Sequence, residues 1–207
     1  MIIYLHMRHT AGAPAQNAAS NAALAPYYGQ VASYHRSVPG AEIRHVYVND
    51  TTTVPQVIAG VTAAAANQRS IWNLMINCHG TPGNLLLGSG VTVWDALSFA
   101  GLRPFMTPGG AGITVGCCYA AAGDQLFGTR QGCVVHRSSA SNGLTLLGQI
   151  AHHSGSRVIG ALDEQVTWEL NGPILTVLPD GNYTVREGRT VDWIRGPSLS
   201  SPDLVCP

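Results

Sequence analysis

The chain has 207 residues, 45% of them hydrophobic and 11% charged, with 11 basic residues balanced by 11 acidic ones. A charged share this far below the usual ~25% excludes a disordered or supercharged protein and supplies a core for one large domain. With no net charge there is no field favouring nucleic acid or an anionic membrane, and because every basic residue is Arg, chemistry that needs a lysine amine is excluded.

Ile2 to Met7 reads as a first strand, since the N-terminus has neither the charged region nor the long apolar region of a signal peptide. Ala13 to Tyr34 is Ala-rich and reads as helical, interrupted at Pro26. Glu42 to Val48 alternates as a second strand. Thr53 to Asn67 reads as a helix with Thr53 as N-cap and Pro55 in its first turn. Ile71 to Cys78 is a third strand, and a helix is expected from about Val93 to Leu102. Gly112 to Cys117 is short and apolar, as a buried parallel strand is. A loop, a helix from about Leu144 to His153 and a fifth strand from Arg157 to Leu162 follow. Leu175 to Leu178 and Tyr183 to Arg186 flank Pro179-Asp180-Gly181-Asn182, which predicts an appended β-hairpin.

Strands alternating with helix-length segments predict a single α/β domain over 1–207: an open, mostly parallel sheet, helices on both faces, a C-terminal hairpin and a surface tail over 190–207. No apolar run reaches the ~18 residues of a membrane span. The five cysteines, an odd number with Cys117 and Cys118 adjacent, do not resemble a secreted disulfide framework. They predict reduced thiols and a cytoplasmic location.

Two strand ends carry the chemistry. "LMINCHGTPGNLLLGSG" ends the third strand in Cys78-His79-Gly80, with a Gly-rich hairpin after it. "GITVGCCYAAAGD" ends the fourth in Cys117-Cys118 and then small residues. Adjacent parallel strands place their C-terminal ends in one crevice, where open α/β sheets hold their sites. A thiol with pKa near 8.5 is mostly protonated at neutral pH and needs a base or a nearby positive charge, either of which His79 can supply. The backbone N–H groups of Gly80 and Cys118 are candidates for an oxyanion hole. Alternation along a strand lets only one of the two thiols face His79, and by itself leaves Cys117 and Cys118 both open as the nucleophile.

A His-Gly strand end followed by a strand ending in a small residue and Cys resembles the caspase-like (clan CD) cysteine peptidases. "HGTPGNLLLG", "CCYAAAGD" and "NGLTLLGQIAHHSGSRVIGAL" together are most similar to bacterial CHAT-like protease domains, over roughly Ile71 to Leu162. The resemblance implies the caspase-like fold and a cysteine endopeptidase with His79 as base and acid and Cys118 as nucleophile. Cys117 departs from the pattern, since that position is more usually Ala, Ser or Gly. The resemblance also implies a strict preference for one P1 side chain, processing in the region after the nucleophile, and an activating partner protein. Asp163 and Glu164, just after the fifth strand, are candidates to bind a basic P1 residue, with solvated loop carboxylates as the alternative. The stretch from Arg130 to Asn142 is expected to be an exposed loop and a self-cleavage site.

The same residues also fit an inactive caspase-like module that acts by assembly, or a thiol acyl transferase or hydrolase. His79 on its own also fits a structural strand end, and Cys78 on the opposite face fits core packing. "GTPGNLLLGSG" lacks the Gly-Lys-Ser/Thr ending of a phosphate loop, and no dinucleotide fingerprint follows the first strand. His152 and His153 diverge by about 100° on a helix, and His6, His9, His35 and His45 lack ligand spacing, so neither a metal nor a cofactor is expected.

Overall fold

The computed structural model describes residues 1–7, 42–122, 143–162 and 173–187. Its strands are β1 (Ile2–Met7), β2 (Ile43–Val48), β3 (Asn73–Asn77), β4 (His79–Thr81), β5 (Asn84–Leu86), β6 (Gly112–Val115), β7 (Val158–Ala161), β8 (Pro173–Val177) and β9 (Tyr183–Glu187). Seven of them form one sheet in the order β2-β1-β3-β6-β7-β8-β9, and β4 and β5 form a separate hairpin. The pairs from β2 through β7 are parallel, whereas β7–β8 and β8–β9 are antiparallel. This is an α/β domain on a mostly parallel sheet. The C-terminal hairpin extends that sheet instead of hanging from it, because both faces of β8 are apolar enough to be buried: Leu175 and Val177 on one side, Ile174 on the other.

Period-two alternation assigns each strand residue to a face. Ile3, Leu5, Leu74, Ile76, Ile113, Val115, Val158, Leu175 and Val177 enter one large core. The apolar faces of all three described helices meet them there. Helix α1 (Val54–Ala65) contributes Val57, Ile58 and Val61, and α2 (Gly143–Ser154) contributes Leu146, Leu147 and Ile150. Full burial of such a side chain stabilises by roughly 1.5–3 kcal/mol. Helices on both faces were expected; the described ones share one face, and Ala13 to Tyr34 lies outside the described residues. The opposite face carries a second buried cluster of Ile2, Tyr4, Met75, Ile159, Ala161 and Ile174.

Thr53 starts α1 as expected, with its backbone N–H donating to Gln56 Oε1 at 2.9 Å and Pro55 in the first turn. The helix expected at Val93 is a 3₁₀ helix over Val93–Leu102. Its buried residues, Ala96, Phe99 and Leu102, recur every three positions, which matches three residues per turn. The same spacing puts Trp94 and Leu97 on the outside, 82% and 66% exposed.

Among the described residues, no helix is long and apolar enough to cross a membrane.

Candidate active site

β3 and β6 are neighbours, and their register pairs Leu74 with Ile113 and Ile76 with Val115, an offset of 39 residues. Carried two positions beyond the ladder, the same offset sets Cys78 opposite Cys117, and one position further His79 falls opposite Cys118. The side chains bear out the first pairing, since Cys78 Sγ and Cys117 Sγ are 2.8 Å apart. Gly116 N–H donating to Ile76 O at 2.8 Å continues the strand contact beyond the ladder.

After Cys78 the chain leaves the sheet into the β4–β5 hairpin. Pro82 and Gly83 make the turn, Gly83 at φ +69°, the left-handed value that the third position of a type II turn requires. His79 pairs with Leu86 and is exposed, while Gly80 pairs with Leu85. Both the N–H and the C=O of Leu85 are taken by Val91, at 2.9 and 2.8 Å. Successive residues of an antiparallel strand point these groups to opposite sides, so the Gly80 N–H is directed away from β5.

At Gly80 the two blocks pack closely. A Cβ there would lie 2.7 Å from Cys118 O and 2.9 Å from Cys117 Cβ, distances that real side chains do not adopt. Only a glycine lets the His-Gly segment pack this tightly on Cys117-Cys118.

The two thiols differ. Cys117 is 1% exposed and faces Cys78 in the core, whereas Cys118 is half-buried. Burial, assisted by the contact with Cys117 and the nearby Cys117 and Cys118 charges, pushes the Cys78 thiol well above its usual pKa range. Directly after Cys118, Tyr119 adopts φ +54°. A bulky residue there costs roughly 1–3 kcal/mol and persists only where its surroundings hold it. Ala122 N–H donating to Tyr119 O and Ala121 N–H donating to Ala161 O, both at 2.9 Å, provide that hold. Helix α2 begins against this turn: Gly143 N–H donates to Ala122 O at 2.7 Å, and a Cβ at Gly143 would meet Ala120 O.

Beyond the hairpin lies a recess of about 530 Å³ that sequence reasoning did not find. Asp50, Asp95, Asn84 and Leu86 line it, with Met7 at its floor. Asp95 Oδ2 accepts from the Thr92 N–H at 2.9 Å and hydroxyl at 2.8 Å, which fixes this carboxylate at the start of the 3₁₀ helix. Asn84 Oδ1 is buried without a hydrogen-bond partner. The sequence signal was weak, since Asp50, Asn84 and Asp95 are far apart and only the sheet edge gathers them.

A second cluster lies on the face of β1 and β2 opposite the described helices. His6 Nε2 and His45 Nδ1 are 2.9 Å apart, stacked among Tyr4 and Tyr47, and the Asn77 amide is 3.5 Å from His6 Nδ1. Matching parity on paired strands was the available signal, which linear ligand spacing does not register. Among the described residues, no three His, Cys, Asp or Glu side chains gather as a metal-binding group.

The fold therefore brings His79, Gly80, Cys117 and Cys118 to one sheet edge. Asp163, Glu164 and the stretch from Arg130 to Asn142 lie outside the described residues. No protein-family model, curated protein or solved structure matches the chain.

Proposed function

We propose that the chain is a caspase-like cysteine endopeptidase working through a His79–Cys118 dyad. The observation that carries this reading is the packing of Gly80 on Cys117 and Cys118, with Cys117 turned toward Cys78 and the half-buried Cys118 left as the thiol at the mouth. His79 takes the Cys118 proton as sulfur attacks the scissile carbonyl, then gives it to the leaving amine. The Gly80 N–H, directed away from β5, and the Cys118 N–H receive the oxyanion. Water then hydrolyses the thioester, with His79 again as base.

The substrate is a protein or peptide cut after a basic P1 residue. The carboxylates of Asp50 and Asp95 beside the hairpin support this preference, because a guanidinium or ammonium pairs well with a carboxylate. Asp163 and Glu164, which follow β7 in the sequence, are proposed to contribute. The protein works in the cytoplasm, cuts itself between Arg130 and Asn142, and answers to an activating partner. A second reading, an assembly module with a residual dyad, is favoured by the exposed pair Trp94 and Leu97.

Mass spectrometry of a peptide library incubated with the wild type and with Cys118→Ala tests the proposal. Cuts after Arg or Lys that vanish in the variant are expected. A library left intact by a chain that also keeps its own termini refutes peptidase activity of the isolated protein and leaves the assembly reading. Cuts after acidic or apolar residues refute the basic preference alone.

A further inference from the structure

We propose that Cys78 and Cys117 are a dithiol oxidation site, closed by a peroxide into a disulfide that joins β3 to β6 directly beneath the proposed dyad. The bond itself does not depend on the peptidase reading; its effect on Cys118 deepens that reading.

Neither thiol is used by the proposed chemistry, yet the fold presents them to each other. The 39-residue offset of β3 and β6, carried past the ladder, makes them register partners on the same face. Neighbouring strands lie about 4.7–4.9 Å apart, inside the ~4.4–6.8 Å between Cα atoms that a disulfide needs. The two sulfurs already touch, at 2.8 Å. Cys117 and Cys118 cannot compete easily, because adjacent residues are ~3.8 Å apart, below that window. Simple core packing would ask only for two small apolar groups at 78 and 117; paired sulfurs in contact add a reaction.

The steps balance with hydrogen peroxide as oxidant. The Cys117 sulfur attacks one peroxide oxygen and the O–O bond breaks, giving a sulfenic acid and one water. The Cys78 sulfur then attacks the Cys117 sulfur. The sulfenic oxygen departs as a second water with the Cys78 proton, which burial keeps on that thiol. Two S–H bonds are lost, one S–S bond forms, and one peroxide is reduced to two waters. A dithiol reductant reverses the reaction by thiol–disulfide exchange. The half-buried turn at Cys118, next to Cys117, is the entry side for the oxidant.

Closure acts on the dyad through Gly80. A Cβ at Gly80 would lie 2.9 Å from the Cys117 Cβ, so the His79–Gly80 segment runs directly against Cys117. Drawing Cys117 toward Cys78 shifts the peptide that carries Cys118 against the His79–Gly80 segment.

The full chain, reduced and then exposed to hydrogen peroxide, is quenched with N-ethylmaleimide under denaturing conditions. Unreduced digestion before aspartate at Asp95 separates Cys78 from Cys117, and fragmentation distinguishes Cys117 from Cys118. The expected product is the Cys78–Cys117 linked pair, two hydrogens lighter than the free peptides, with Cys118 outside the link. The same link should form in Cys118→Ala. Maleimide on both Cys78 and Cys117, or first links made by Cys118, Cys133 or Cys206, overturns the proposal. In the linked protein, alkylation of Cys118 should slow at least fivefold and recover with dithiothreitol; an unchanged rate overturns the coupling to the dyad. A link that forms in a chain without peptidase activity sustains the oxidation site and refutes only the peptidase.

Discussion

Gly80→Ala adds one methyl group where the two halves of the proposed site meet. Its Cβ would stand 2.7 Å from Cys118 O and 2.9 Å from Cys117 Cβ, against 3.4 Å or more for ordinary contact. Relief therefore needs a separation of 0.5–0.7 Å between backbone segments that the β3–β6 ladder and the β4–β5 hairpin both hold. Overpacking of this kind costs about 1–3 kcal/mol. At roughly 2–4 °C per kcal/mol for a chain of this size, the melting temperature should fall by about 2–12 °C. The same displacement moves His79 away from Cys118, and a misplacement approaching 1 Å at a reacting centre costs up to about 10²-fold. The assay pairs thermal unfolding with the rate at which limiting iodoacetamide modifies Cys118, located by mass spectrometry. A variant with unchanged melting temperature and unchanged Cys118 reactivity would refute the close packing of the two blocks, and the dyad with it.

Cys118→Ala should abolish peptide cleavage and keep the fold, while Cys117→Ala should retain cleavage and lose roughly 1–2 kcal/mol of stability for its buried sulfur; peptide cleavage with denaturant titration separates them, and reversed outcomes make Cys117 the nucleophile. Because burial raises the Cys78 thiol, the folded chain keeps a proton that the unfolded chain releases. That stability is complete below about pH 8.5 and falls as pH rises toward the folded value, by up to about 1.4 kcal/mol per pH unit. Denaturation of Cys78→Ala between pH 8 and 10 should show a shallower fall than the wild type, and parallel curves would contradict it. Gly148→Ala, in α2 with only Val177 Cγ1 near at 3.9 Å, should gain up to about 1 kcal/mol from helix propensity; a lower melting temperature would show that the helix packs more closely there.

The sheet was legible where burial follows a local period. Ile2 to Met7 and Gly112 to Cys117 read as strands, the second ending at Val115 in the fold, because short apolar runs bounded by turn residues have few other uses. That the two reactive strand ends share one edge was also legible, since short apolar strands on either side of a crossover are natural parallel neighbours, as β3 and β6 are. The 3₁₀ geometry was harder to read, because Ala96, Phe99 and Leu102 also satisfy the i, i+3 contacts of an α-helix. The place of β8 and β9 in the sheet depends on which edge β7 leaves open, a tertiary property. The Cys78–Cys117 contact needs the exact register, and the Asp50–Asp95 recess joins residues from separate loops. Linear spacing carries neither.

In the proposed dyad His79 activates Cys118. The measurement that tests it most directly is the rate of Cys118 alkylation at pH 7 in the wild type and in His79→Ala, with the modified cysteine identified by mass spectrometry and the fold of the variant checked by thermal unfolding. Cys118 should be the first cysteine modified in the wild type, and His79→Ala should slow it by about 10²-fold or more, in line with the loss of a positioned base. Equal rates in a folded variant, or first modification at another cysteine in the wild type, would contradict it.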